Sequence, residues 1–187
     1  IILRLAAQIK TLDPSIIEAI QDGNAVGRIF EQVKRNLGNK LNNKILRKFM
    51  VPQIEALDLA DLANSNSILR LIGNKCPHLR VLSLKGCFAT VTDTMVEFIT
   101  RRCVHLRQLD VSHCKYITDK GLASIAKHLT GLRSLRITMV TQATFKGVLH
   151  LIHQCKELMF LDVFGIPLSD DDKQALTEAR EDLECNV

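Results

Sequence analysis

Six cysteines, six histidines and a run of adjacent carboxylates are the side chains here that could bind metal, attack a carbonyl or relay protons. Their spacing favours none of these. No Cys-x-x-Cys pair occurs, and no cysteine stands with histidine at zinc-finger separation. Cys76, Cys103 and Cys155 each precede a leucine by three residues, and Cys87 and Cys114 each follow a short apolar run by three. One residue type recurring at fixed places reads as reduced, buried thiols, which implies the cytosol, the nucleus or, alternatively, the mitochondrial matrix side. The histidines (78, 105, 113, 128, 150 and 153) are scattered, with His78 and His105 in equivalent places. There is no Gly-x-Ser-x-Gly, phosphate loop or His-Glu-x-x-His. Asp170-Asp171-Asp172 suits a helix start, where the macrodipole favours negative charge. The chain therefore reads as a non-enzyme with no metal, no cofactor and no small-molecule substrate.

The elements that would position these residues form a repeat. Residues 106 to 130 are one complete unit. Leu106 to Val111 reads as a strand of the LxxLxL type, Ser112-His113-Cys114 turns the chain, and Ile117-Thr118-Asp119 opens a helix from Lys120 to about His128. Further strands are expected at 54–59, 79–84, 132–137 and 158–163. Their central leucines, 57, 82, 109, 135 and 161, are spaced 25, 27, 26 and 26. Val91-Thr92, Ile117-Thr118, Val140-Thr141 and Leu168-Ser169 supply an apolar residue and a helix cap, with Ala63-Asn64 in that role in the first repeat. Leu122, Ile125, Ala126 and Leu129 form an apolar helix stripe, repeated by Phe145, Val148, Leu149 and Ile152. Leu176, Ala179 and Leu183 mark a last, more polar helix.

Residues 1–50 lack the repeat. Asp13-Pro14-Ser15 starts a helix, Asp22-Gly23 breaks it, residues 25–37 are amphipathic, and a short helix around Leu41 to Phe49 ends at Pro52. This segment suits the end cap that a solenoid needs. Ile1 to Ile9 is too short and interrupted to cross a membrane. The expected domains are a helical cap at 1–50 and a repeat domain at 51–187. The cap holds nine Lys/Arg against four Asp/Glu, whereas residues 51–187 hold sixteen of each. Lys34, Arg35, Arg47 and Lys48 are its candidate basic patch, able to dock on a further subunit of a complex or an anionic surface.

In LxxLxL the leucines point inward and the residues between them outward. Parallel stacking makes an α/β solenoid, a right-handed βα superhelix of about five repeats with helices outside and strands on the concave face. That face should present Lys85, Asp110, Ser112, Arg136, Phe160, Asp162 and Phe164 to a protein partner. Charges of both signs favour protein over nucleic acid. Asp110 and Arg136 could instead pair across adjacent strands. Phe160 and Phe164 are candidate anchors, with Tyr116 a lesser one.

The run from Cys103-Val104-His105-Leu106 through Cys114 to Ile117-Thr118-Asp119-Lys120-Gly121-Leu122, with Cys76 to Asp93 before it, resembles the cysteine-containing subfamily of leucine-rich repeats. The resemblance covers residues 51–187. Repeats four and five depart from it: Leu129 replaces the first cysteine, and Val140 and Ile166 the turn cysteine. It implies a protein-interaction scaffold, foremost the substrate-recognition or adaptor module of a cullin–RING ubiquitin ligase, as in F-box proteins. F-box-free relatives resemble the antagonist of mitotic exit network protein. The alternative it implies is a structural or assembly subunit of a larger complex, one setting being mitochondrial proteins similar to ATP synthase coupling factor B. Residues 1–50 have neither the Leu-Pro start nor the Trp of an F-box, so an F-box is expected only before Ile1.

Overall fold

The computed structural model describes residues 13–62 and 66–187. The Ile1 to Ile9 reading and the Ala63-Asn64 cap fall outside them. After a helical segment of two short pieces and one of 15 residues, the chain alternates strand and helix. The pieces are α1 (Pro14–Glu18), α2 (Gly23–Leu37) and α3 (Asn43–Leu46). The alternation runs β1 (Ala56–Asp58), α4 (Asn66–Lys75), β2 (Val81–Ser83), α5 (Asp93–Thr100), β3 (Gln108–Asp110), α6 (Asp119–His128). It continues β4 (Ser134–Arg136), α7 (Phe145–Gln154), β5 (Phe160–Asp162), α8 (Asp170–Glu178) and β6 (Glu184–Asn186). The strands form one parallel sheet in chain order. Leu57, Leu82, Leu109, Leu135, Leu161 and Cys185 share one register row. Five repeats were expected. The sixth strand arises because Leu183-Glu184-Cys185-Asn186-Val187 keeps the apolar alternation with cysteine in the leucine's place.

Each strand is three residues long, half the expected run. An aspartate ends three of them: the Asp58, Asp110 and Asp162 Oδ1 atoms accept from the N–H two residues on, at Ala60, Ser112 and Phe164 (2.8, 2.9 and 3.1 Å). This local bond bends the chain out of the extended line.

The helices pack in sequence order behind the sheet. Their starts are tied by a ladder that explains the Thr-Asp-x-Gly pattern. Asp93 accepts from Thr118 N–H (2.8 Å) and hydroxyl (2.7 Å), and Asp119 does the same for Thr144 (2.8 and 2.7 Å). The carboxylate needs space, and the third residue of the next helix supplies it. A Cβ on Gly121 would lie 2.6 Å from Asp93 Oδ1, and one on Gly147 2.1 Å from Asp119 Oδ1. Phe145 stands where the ladder's next aspartate would be. The third residue of α8 is accordingly Asp172, and Ser169 makes its own capping box with it (3.0 and 3.1 Å). In repeat four the cap is Thr144. The expected Thr141 lies in the preceding turn, too early to meet Asp119. The buried stripe of α7 is Gly147, Val148, Leu151 and Ile152, with Phe145 and Leu149 only half-buried.

The turn after each of the first five strands places a left-handed residue four positions beyond the central leucine: Asp61, Gly86, His113, Met139 and Gly165 (φ 58, 72, 61, 58 and 77°). The first four donate N–H to a carbonyl of the following turn (2.8–2.9 Å), which extends the ladder beyond the strands. From β2 to β5 repeat length varies in one place; the last return, from Ser169 to Cys185, is 16 residues. Cap to next central leucine is 17 residues in three repeats: Thr92 to Leu109, Thr118 to Leu135 and Thr144 to Leu161. Central residue to cap is 10, 9, 9 and 8 (Leu82 to Thr92, Leu109 to Thr118, Leu135 to Thr144, Leu161 to Ser169).

The N-terminal helices share one continuous apolar core with the repeats, from Ile17 to Leu183. Helix α2 packs on β1, and its glycines allow backbone-close approach. A Cβ on Gly23 would lie 1.8 Å from the Gln53 carbonyl oxygen, and one on Gly27 3.2 Å from that of Ala56. Lys34 Nζ donates to the Asp58 carbonyl (3.2 Å) and carboxylate (2.8 Å), so the open edge of β1 is covered. Among the described residues no helix is long and apolar enough to cross a membrane.

Candidate partner-binding face

Each strand turns its central residue into the core and its two neighbours to solvent. One outward column reads Ala56, Val81, Gln108, Ser134, Phe160 and Glu184; the other reads Asp58, Ser83, Asp110, Arg136, Asp162 and Asn186. The two ends of the face therefore differ.

At the β4–β6 end, Arg136, Phe160, Asp162 and Phe164 come together. The Arg136 guanidinium lies 4.9 Å from the Phe160 ring centroid. Asn186 Nδ2 donates to Asp162 Oδ1 (3.0 Å). Asp110 and Arg136 are register partners, yet no ion pair joins them among the described residues; the arginine turns to the ring instead. Phe164 is 57% exposed. Met139, at 41%, lies against Gly165, where a Cβ would meet its sulfur at 2.3 Å. Met139 was not anticipated, although a glycine at the same place in the next repeat makes room for it. Lys85 is exposed but distant in register. Ser112 is a correction: it is buried, 2% exposed, because the Asp110 turn pulls it off the outward column, and its carbonyl accepts from Gly86. Tyr116 is exposed in its loop, with Lys115 Nζ 5.2 Å from the ring centroid.

At the β1–β2 end the small residues Gly27, Ala56, Val81 and Ser83 leave a groove of about 840 Å³ between α2 and the sheet. Arg28, Glu31 and Arg35 line its helical wall. Their i, i+3, i+7 spacing was legible, but nothing in the sequence told that α2 lies beside β1. Glu31 is half-buried, and burial, reinforced by nearby Asp58, raises its pKa above the ordinary glutamate value against the pull of Lys34 and Arg35. Burial also acts to raise the pKa of Asp58. The Lys34 bond and the Ala60 amide outweigh it, so the net shift is downward.

The four expected basic residues do not make one patch. Lys34 is engaged by Asp58, Arg35 borders the groove, Arg47 donates to Ser67 Oγ (3.0 Å) on α4, and Lys48 is half-buried. The thiols serve the stack. Cys87, Cys103, Cys114 and Cys155 donate to the carbonyls of Leu59, Cys76, Leu84 and Leu129 in the preceding repeat (3.4, 3.5, 3.3 and 3.9 Å). Burial pushes Cys76 and Cys114 up to about 12, and Cys103 and Cys155 up to about 11.

A family profile described as the leucine-rich repeat matches residues 102–126. F-box protein SKIP1 of Arabidopsis thaliana is 33% identical over 72 residues, covering 38% of this chain and 24% of the plant protein. F-box only protein 41 of Mus musculus and of Homo sapiens is 34% identical over 95 residues, covering 50% of this chain and 10% of those proteins. The chain thus spans a quarter or less of the curated relatives it matches. Among solved structures, the tropomodulin C-terminal domain of Caenorhabditis elegans superposes with a TM-score of 0.54 at 15% identity, over 74% of this chain and 89% of that one; this is a likeness of fold alone. The stacked register and the Thr-Asp-x-Gly ladder agree with the profile match: the chain folds as a leucine-rich-repeat solenoid and is similar over part of its length to F-box proteins.

Proposed function

We propose that this chain is a protein-interaction scaffold whose concave face holds a partner, and that it serves as the substrate-recognition or adaptor module of an SCF-type ubiquitin ligase. The observation that carries the binding half is the cluster of Arg136, Phe160, Asp162, Phe164 and Met139 at one end of a rigid parallel sheet. It joins exposed apolar area to charge of both signs, the composition of interaction hot spots. The F-box names of the relatives support the ligase half.

The binding test takes the protein that the wild-type chain retains, purifies it, and measures its affinity for Arg136→Glu and Phe160→Ala. Each should weaken binding by about tenfold or more, while Lys120→Glu on the exposed side of α6 does not. Unchanged affinity in both would overturn this reading of the face. For the ligase half, the partner should accumulate when the chain is depleted from cells. A partner whose half-life is unaffected removes that half.

A further inference from the structure

The groove at the opposite end of the face has the features of a site awaiting a ligand. Its floor is small and apolar, from Gly27, Ala56 and Val81. Its helical wall carries Arg28, Glu31 and Arg35, a row of alternating charge. Two of the nearby ions are already matched: Lys34 binds Asp58 at 2.8 Å, and Arg28 lies 3.7 Å from Asp22. Glu31 and Arg35 are not. Among the described residues neither side chain has a hydrogen bond or an ion pair, although they stand one helical turn apart. A half-buried carboxylate without a hydrogen bond has lost hydration, and the pull of Lys34 and Arg35 does not make up for it. Its raised pKa reports the same imbalance. A cation brought in by a ligand would correct it. With Arg28 and Arg35 set against Glu31 and Asp58, the groove offers no net positive charge to hold a polyanion, so nucleic acid does not fit.

We propose that the groove between α2 and the first two strands is a second docking point for the partner, taking an extended peptide segment in which a lysine or arginine meets Glu31 and an acidic residue two positions away meets Arg35. The spacing agrees: four helical residues rise about 6 Å, and alternate residues of an extended chain lie about 6.6 Å apart. The intervening side chain then faces Val81 and Ser83, where a small residue fits. This inference rests on the reading of the chain as a protein-binding scaffold.

The test pans a random-peptide phage library against the immobilised chain and measures the selected peptides by fluorescence anisotropy. A basic-x-acidic consensus is expected. The charge-reversed pair Glu31→Lys with Arg35→Glu should weaken its binding by about tenfold or more and should favour acidic-x-basic peptides instead. The isosteric Glu31→Gln, which removes charge without added bulk, should weaken the original peptides in the same direction. Arg136→Glu and Phe160→Ala, at the far end, should leave these peptides unaffected. Absence of the consensus, or equal binding by the charge-reversed variant, overturns the groove proposal. If partner affinity falls with Arg136→Glu but not with Glu31→Gln, the groove proposal fails while the scaffold reading stands.

Discussion

Glu31 illustrates how a single side chain can oppose the fold that holds it. Its acid form is favoured in the native state, since burial and Asp58 raise its pKa above the ordinary 4.5. The ionised form therefore costs stability at neutral pH, and the cost fades as pH falls through the raised value. Glu31→Gln should raise the melting temperature at pH 7 and give a smaller gain near pH 4; a gain independent of pH would contradict the assignment. Asp58 has the opposite sign. Its lowered pKa adds stability at neutral pH that is lost under acid. The thiols give a second residue-scale expectation. In native protein Ellman's reagent should reach half-buried Cys185 first, and the five buried cysteines only on unfolding. Rapid native labelling of Cys76 or Cys114 would show that the stack is open. These buried positions were legible from spacing, because a thiol recurring beside strand leucines has a packing role. The aspartates were harder. Asp110 and Asp162 were read as partner contacts, and one oxygen of each, as of Asp58, proves to be committed to its own backbone.

At the scale of elements, the ladder couples each helix to the one before it. Gly121→Ala should destabilise the chain by about 1–3 kcal/mol, because the new methyl meets the Asp93 carboxylate and Ile117. Asp93→Ala alone loses the two bonds to Thr118. The double variant should lose less than the sum, with a coupling of about 0.5–3 kcal/mol measured by chemical denaturation. Strict additivity would mean that the two residues do not meet. This coupling also shows why Thr141 was misassigned. A hydroxyl beside an apolar residue marks a cap locally, but the true cap is chosen by reach from Asp119 in another repeat. The sixth strand was missed for a related reason. Its central residue is Cys185, so the leucine that announced the other five was absent, and only pairing with β5 identifies it.

Taken whole, the molecule is a stack whose strands pair in chain order and whose central helices pack on the next, closed at one end by α2. Leu109, in the middle row and 4% exposed, should cost about 2–5 kcal/mol when cut to alanine. Gly23→Val should act at the end instead, since the Gln53 backbone leaves no room for a side chain. Hydrogen exchange should then quicken over residues 13–59 while residues 106–163 keep their protection. Uniform loss of protection would show that the cap and the centre unfold together. In the central repeats, the confinement of length variation to the stretch between strand and cap has a bearing on how such a chain changes. The 17-residue return path is held by packed helices and by the ladder, so insertions there would throw the rungs out of step. Beyond their left-handed turn residue, the outgoing loops, which display Phe88 and Tyr116, can grow or shrink while the strand and helix-start rungs keep step. New recognition can thus be written along one margin of the slab, leaving its frame untouched.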